Sequence, residues 1–154
     1  MLSIILNRRQ LCDLELLANG AFKPLEGFMG QCDYERVLEE ARLVDSTLWT
    51  IPIVLAVSED TAKQIAHGDR LALRDAEGFM LASLCVTDLW RPDREREAEA
   101  IYGTVSRQHP GVRFLLDETQ PIYVGGSIEI VELPIHYDFE LLRYTTSELC
   151  QEFL

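Results

Sequence analysis

Basic residues are scarce in this sequence. Lysine and arginine together number 14 against 26 aspartates and glutamates, which gives the 154-residue chain a formal net charge of −12. Binding to a nucleic-acid backbone depends on clusters of lysine and arginine that neutralise phosphates. The excess of acidic residues therefore argues against a nucleic-acid partner. An anionic small molecule is not excluded, because a local cluster of donors can bind one whatever the net charge of the chain.

Cysteine and histidine are also few, and none of them is paired at the spacing of a metal site. These residues are Cys12, Cys32, Cys85, Cys150, His67, His109 and His136. Zinc sites usually show closely spaced ligands, and no C-x-x-C occurs here. The sequence therefore predicts no metal site, and it predicts reduced thiols of the kind found in the cytoplasm.

Long apolar runs are missing as well. No stretch approaches 18 consecutive apolar residues, and the short apolar run at residues 1–6 precedes its charges instead of following them. A membrane-spanning helix needs about 18 or more consecutive apolar residues. A secretion signal needs positive charges before its apolar run. We therefore predict no membrane association and a cytoplasmic location.

The common catalytic signatures do not occur. The chain lacks G-x-x-x-x-G-K-[ST], G-x-G-x-x-G, G-x-S-x-G and H-E-x-x-H. Eight side chains are still of types that bind ligands: Arg8, Arg9, Cys12, Trp49, Trp90, His109, His136 and Arg143. Their settings favour structural roles, since His109 precedes a Pro-Gly turn and Cys12 is expected to be a buried or half-buried helix residue. On residue chemistry alone, no catalytic, cofactor-binding or metal-binding residue is predicted.

Apolar periodicity and turn residues predict an α+β fold in a single domain over residues 1–154. Helices are expected at 7–20, 33–42, 58–67, 94–102 and from 146 or 147 onwards, and strands at 51–57, 70–74, 79–89 and 123–131. Asn7 and Asp33 are the expected N-caps of the first two helices. Because the strands follow one another in hairpins and do not alternate with long helices, we predict a small, mainly antiparallel barrel with peripheral helices.

Three segments carry more specific predictions. Gly125-Gly126, inside a strand, indicates a bulge or a close approach of another backbone segment. The loop 21–30, with glycines and a proline among large apolar residues, is expected to be ordered and buried. The glutamates and arginines of 94–102 are expected to form a solvated face with pairs at i,i+4.

Several segments, in order along the chain, resemble one enzyme family. They are 9–22, 24–29, 48–53, 70–75, 97–99, 102–104, 109–112, 123–126, 134–139 and 142–143. The first reads Arg-Gln-Leu-Cys-Asp-Leu-Glu-Leu-Leu-Ala-Asn-Gly-Ala-Phe, and two later ones read Tyr-Val-Gly-Gly and Pro-Ile-His-Tyr-Asp-Phe. Together they resemble the opening of ATP sulfurylase (sulfate adenylyltransferase). The resemblance implies a PUA-like β-barrel with helices, the fold of that family's N-terminal domain.

The same resemblance implies where the chemistry lies. In this family the complete enzyme is a nucleotidyltransferase that joins ATP and sulfate into adenosine 5′-phosphosulfate and pyrophosphate, usually with Mg²⁺ on the ATP phosphates. A Gln-x-Arg-Asn segment and a His-x-x-His pair of the following catalytic domain carry this chemistry, and neither occurs here. The resemblance therefore implies no catalytic, cofactor-binding or metal-binding residue in this chain, a structural docking role, and no turnover by the chain alone.

The implied partner is the catalytic domain of ATP sulfurylase, in cis or in trans, and a homo-oligomer stays open. Two alternatives remain: a stand-alone PUA-like module that binds RNA, and a regulatory homologue that pairs with a separate catalytic chain. The last helix stops without a globular ending, which favours an excised fragment. The chain also departs from the family, since Thr145-Thr146-Ser147 replaces the usual Thr-Pro and Cys150 stands where arginine is common.

Overall fold

The computed structural model describes residues 1–134, 139, 142 and 144–153. Its strands are β1 (Leu2–Ile5), β2 (Gly27–Phe28), β3 (Leu55–Val57), β4 (Arg70–Arg74), β5 (Met80–Trp90) and β6 (Ile122–Ile130). Its helices are α1 (Arg8–Ala18), α2 (Gln31–Glu40), α3 (Glu59–Ala62), α4 (Arg94–Tyr102), α5 (Pro110–Arg113) and α6 (Thr146–Glu152). A π-helical turn, Phe114–Glu118, follows α5 directly. The predicted α+β class is confirmed.

The six strands form a mixed sheet in the order β1-β4-β5-β6-β2, and β3 pairs with β6 off this path. The β4–β5 pair is antiparallel, as the hairpin predicted through residues 75–78 requires. The β3–β6 pair is also antiparallel, but its strands are distant in sequence and do not form a hairpin. The β1–β4 pair is parallel, with Leu2 opposite Leu71, and was not predicted because a four-residue strand leaves too little periodicity to detect. No pairing among the described residues joins the two ends of the path, so closure into a barrel stays a prediction.

The chain divides into two compact units. The first comprises Met1–Gly27, Arg70–Cys85 and Ser127–Leu154, and the second comprises Phe28–Asp69 and Val86–Gly126. Buried side chains of the first unit include Leu6, Leu14, Leu17, Leu71, Leu73, Leu81 and Leu84. Those of the second include Phe28, Met29, Tyr34, Val37, Leu55, Val57, Trp90, Val112, Tyr123 and Val124. Each unit thus has apolar side chains of its own that are removed from water.

Capping explains where the first helices begin. The Asn7 side chain accepts from the Gln10 backbone N–H, and the Gln10 side chain accepts from the Asn7 backbone N–H, which forms the predicted start of α1 as a capping box. The predicted cap of α2 is wrong, because the helix starts after Gly30. Asp33 instead lies in the first turn, and its Oδ1 accepts from the Val44 N–H at 2.7 Å.

A close backbone approach occurs at Gly125, as the Gly-Gly pair predicted. A Cβ atom at this position would lie 2.3 Å from the carbonyl oxygen of Met29 and 2.7 Å from the Cα of Gly30. Real Cβ atoms do not come this close to backbone atoms, so β6 can pass against residues 29–30 only because position 125 has no side chain.

Candidate functional site

Helix α4 holds a buried carboxylate in the second unit. Asp93 caps the helix by accepting from the Arg96 backbone N–H. Glu97 is 7% exposed, and its Oε2 accepts from the Tyr34 hydroxyl at 3.0 Å and from the Tyr123 hydroxyl at 2.9 Å. Burial of a carboxylate requires such donors, because an unpaired charge away from water is strongly disfavoured.

The predicted solvated face of α4 is therefore wrong at this position. Glu95 and Glu99 are exposed as predicted, but Glu97 is not. The ion pairs of the helix also differ from the i,i+4 prediction, since Arg96 reaches across to Glu35 and Glu39 of α2. The sequence held no local signal for Glu97, because the tyrosine hydroxyls that it accepts from lie 63 and 26 positions away along the chain.

Three aromatic rings surround this carboxylate pairing. The Tyr34 centroid lies 5.6 Å from that of Trp90 and 5.8 Å from that of Tyr123, and the Trp90 and Tyr123 centroids are 5.8 Å apart. Burial raises the pKa of the Tyr34 phenol, and the adjacent charge of Glu97 raises this pKa further. The Tyr34 hydroxyl therefore remains protonated and acts as a hydrogen-bond donor throughout the physiological range.

Trp90 connects this cluster to a cavity of about 360 Å³ in the second unit. The lining residues are Glu59, Ala62, Lys63, Leu89, Trp90, Arg91 and Ile122. The indole N–H of Trp90 is buried and has no hydrogen-bond partner in the described part of the chain. Arg91 forms an ion pair with Glu59, and Lys63 forms one with Asp60.

A second cavity, of about 600 Å³, lies in the first unit. Its lining residues are Leu17, Ala18, Gly20, Lys23, Pro24, Leu25, Glu26, Ser127, Ile128 and Ile130. The β6 backbone is fixed here by a hydrogen bond from the Ile128 N–H to the Glu26 carbonyl at 3.0 Å. The loop predicted to be buried forms part of this wall, and it is buried only at its end, from Gly27 to Met29, since Lys23 and Pro24 are exposed.

The ligand-type side chains singled out from the sequence do not form a cluster with one another among the described residues. His109 precedes α5, and its ring lies 4.9 Å from that of Tyr102. Trp49 is half-buried and donates from its indole N–H to the Ile51 carbonyl at 2.7 Å. His136 and Arg143 lie outside the described residues.

The remaining candidates lie on α1. Arg8 and Arg9 are exposed in its first turn, and the charge of Arg9 lowers the pKa of Asp13 against a larger upward effect of burial. Cys12 is exposed, so its predicted burial is wrong: the helix turns Leu14 and Leu17 inward and leaves position 12 on another face.

Over residues 1–134, 139, 142 and 144–153, no group of three or more histidine, cysteine, aspartate or glutamate side chains is placed to hold a metal ion. No helix in the described ranges has the length and apolar character needed to cross a membrane.

A family model of the PUA-like domain matches residues 1–133. The sulfate adenylyltransferase of Aspergillus clavatus is 45% identical over 154 residues, which cover 98% of this chain and 27% of that protein. The sulfate adenylyltransferase of Kluyveromyces lactis is 43% identical over 148 residues, which cover 96% of this chain and 29% of that protein. This chain therefore spans less than a third of the length of these relatives.

A solved structure shows the same fold. The hexameric APS kinase from Thiobacillus denitrificans is 33% identical, with a TM-score of 0.76, over 99% of this chain and 26% of that one. The family match spans all the described strands and the helices α1 to α5, and the likeness to this solved structure extends over 99% of the chain. The chain belongs to the PUA-like domain family, in the form found as the N-terminal portion of sulfate adenylyltransferases.

Proposed function

We propose that this chain serves as the N-terminal domain of a sulfate adenylyltransferase. The observation that carries the proposal is the 45% identity that extends over 98% of the chain but over only 27% of the relative. The complete enzyme would make adenosine 5′-phosphosulfate and pyrophosphate from ATP and sulfate in the cytoplasm. The role of this portion would be structural: it would form a PUA-like barrel that docks to the catalytic domain.

The proposal places the sites for Mg²⁺ and for the ATP phosphates outside this chain, in the catalytic domain. The described ranges hold no cluster of three metal-binding side chains, and the sequence holds no phosphate loop. The proposal accordingly assigns no catalytic step to this chain. The attack of sulfate on the α-phosphorus would belong to the remainder of the enzyme.

Exposed apolar side chains support the docking role. Large exposed apolar residues are frequent along residues 130–153 of the first unit: Ile130, Val131, Leu133, Phe139, Leu142, Tyr144, Leu149 and Phe153. Water-exposed apolar surface of this kind marks protein contacts more often than an isolated exposed leucine does. We expect the catalytic domain to cover this surface. Phe153, whose side chain is 82% exposed, would then be removed from water.

Exchange of pyrophosphate with ATP tests whether catalysis requires the catalytic domain in addition to this chain. The purified chain should show no sulfate-dependent exchange of pyrophosphate with ATP. A chimera in which the chain replaces the matching portion of the Aspergillus clavatus relative should show exchange. Turnover by the chain alone at the level of that relative would contradict the proposal.

The docking surface is tested in the same chimera. Phe153→Asp should lower the melting temperature and the exchange rate, because a charge would be placed at the interface. Phe79→Asp is the matched control, since Phe79 is also an exposed phenylalanine of the first unit, at 64% exposed. Equal effects of the two substitutions would remove the support for docking through Phe153.

The source DNA tests whether the catalytic domain lies in cis. We expect the reading frame to run past the codon for Leu154 into a Gln-x-Arg-Asn and a His-x-x-His segment. A stop codon at that point would move the catalytic domain to a separate chain, and co-elution with that chain would then be the expected result.

A further inference from the structure

The turn that ends α1 contains the dipeptide Asn19-Gly20. Asn19 is the C-cap of the helix, and Gly20 follows it with a φ of +82°. An asparagine before a glycine can react with its own backbone, because glycine has no Cβ to keep the next peptide nitrogen away from the side-chain amide. The chain has one other asparagine, Asn7, and it precedes Arg8.

Two hydrogen bonds act on the side-chain amide of Asn19. Its Oδ1 accepts from the Ala21 backbone N–H at 3.0 Å and from the Thr146 hydroxyl at 3.3 Å. Donors on a carbonyl oxygen stabilise the negative charge that develops there when a nucleophile attacks the carbonyl carbon. These two donors therefore activate Asn19 Cγ toward attack.

The nucleophile is the backbone nitrogen of Gly20, the next along the chain. Its N–H donates to the Leu17 carbonyl at 3.4 Å, whereas such bonds are usually about 2.9–3.0 Å long. A hydrogen bond of this length holds the N–H weakly, so the end of the helix protects the nitrogen little. Asn19 and Gly20 are both half-buried and not enclosed, so water reaches this turn.

A positive charge lies beside Gly20. A Cβ atom at position 20 would lie 3.3 Å from Lys23 Cε and 3.9 Å from Lys23 Nζ, so the lysine side chain packs against the glycine. A nearby cation favours the anionic form of a group. The group here is the Gly20 amide, which must lose its proton to attack, and Lys23 therefore favours the reaction.

We propose that Asn19 is a site of spontaneous deamidation, which Lys23 accelerates in the folded chain. The Gly20 nitrogen gives up its proton and bonds to Asn19 Cγ, the bond from Cγ to Nδ2 breaks, and Nδ2 leaves as ammonia with that proton. The resulting succinimide ring takes up one water molecule, and it opens to aspartate at the side-chain carbonyl or to isoaspartate at the backbone carbonyl. A carboxylate then replaces the neutral amide at the contact with Thr146. This reaction is independent of the proposed sulfate adenylyltransferase role.

Tryptic peptides separate the two asparagines. Residues 1–8 hold Asn7, and residues 10–36 hold Asn19 in one peptide, because trypsin does not cleave a lysine bond that precedes proline, as at Lys23-Pro24. The folded chain is incubated at mildly alkaline pH, and mass spectrometry of both peptides follows the loss of the amide, with aspartate and isoaspartate products separated. We expect Asn19 to react at least about tenfold faster than Asn7 and to yield isoaspartate.

Two lysine variants test the contribution of the folded structure. Lys23→Gln should slow the reaction at Asn19 about twofold to threefold, whereas Lys63→Gln, which removes the other lysine of the chain, should leave the rate unchanged. Both lysines are exposed, so neither substitution disturbs the core. In concentrated urea the two variants should react alike, because unfolding removes the packing of Lys23 against Gly20.

Four results would overturn the proposal. They are a reaction at Asn19 no faster than at Asn7, aspartate formed without isoaspartate, equal rates of the two lysine variants in the folded chain, and a difference between these variants that persists in urea.

Discussion

At the scale of single residues, Glu97 decides how α4 is held in the second unit. Its Oε2 accepts from the hydroxyls of Tyr34 and Tyr123, and both rings pack against Trp90. The sequence could indicate that α4 is a charged helix but not which of its carboxylates is buried. That choice depends on two hydroxyls that lie 63 and 26 positions away along the chain.

Replacing this carboxylate should destabilise the chain. In Glu97→Gln the two tyrosine hydroxyls lose a charged acceptor and the new amide N–H₂ group has to find partners in a buried place. We expect the free energy of unfolding in urea to fall by about 1–3 kcal/mol. Glu99→Gln, on the exposed face of the same helix, should change it by less than about 0.5 kcal/mol. Equal losses in the two variants would contradict the role of Glu97.

A side chain at Gly125 should be costly for a different reason. In Gly125→Ala the new Cβ meets the Met29 carbonyl oxygen, and backbone atoms can give way less easily than a flexible side chain. We expect a loss of about 3 kcal/mol in the same urea measurement.

Gly103→Ala is the matched control for that variant. Gly103 has a φ of +66° and open space around its Cα, so only the left-handed backbone is penalised, by about 1–2 kcal/mol. If Gly103→Ala cost as much as Gly125→Ala, the close approach of β6 to residues 29–30 would not be the cause. The Gly-Gly pair could predict such an approach, but not which segment makes it.

At the scale of whole elements, the caps of α1 and α6 follow one pattern with different chemistry. The α1 cap uses the amide of Gln10, whereas the α6 cap uses the carboxylate of Glu148. The start of α6 at Thr146 was predicted correctly, because the Thr-Thr-Ser-Glu run carries its own cap. The start of α2 was not, because Asp33 resembles a cap in sequence but bonds to Val44, a tertiary contact outside the local pattern.

The α6 cap should depend on pH and the α1 cap should not. The Thr145 backbone N–H donates to Glu148 at 2.6 Å and the Thr145 hydroxyl at 2.8 Å, and these bonds lower the pKa of Glu148 below 4.5. Because these bonds favour the ionised carboxylate of Glu148, they stabilise the folded helix at pH values above 4.5. This stabilisation is lost as the pH falls through the lowered pKa of Glu148.

Amide chemical shifts measure this difference. The Thr145 amide signal should titrate below pH 4.5, and in Glu148→Gln it should not. The Asn7 amide, which donates to the neutral side chain of Gln10, is the internal control and should stay constant over the same range. A titrating Thr145 amide in Glu148→Gln would assign the effect to another group.

At the scale of the whole molecule, composition restricted the partners more than it identified the fold. The charge of −12 argued against nucleic acid, and the resemblance in sequence identified the PUA-like family that the family match confirms. The two cavities could not be predicted. Their walls combine residues from distant parts of the chain, such as Glu59 with Ile122, and no local pattern records that pairing.

The charge leads to a prediction for the RNA-binding alternative. In a gel-shift titration at low salt, the chain should show no binding to single-stranded or hairpin RNA at micromolar protein. Backbone contacts need clustered cations, and the sequence contains nearly twice as many acidic as basic residues. Tight binding that weakens steeply with added salt would restore that alternative.

The two cavities have a practical consequence through their lysines. Lys23 lines the cavity of the first unit and Lys63 lines that of the second, and the sequence contains no other lysine. Besides the amino terminus, an amine-reactive dye therefore has one attachment point in each unit. A donor and an acceptor fluorophore on these two amines would report, by energy transfer, any change in the spacing of the units when a ligand or a partner binds.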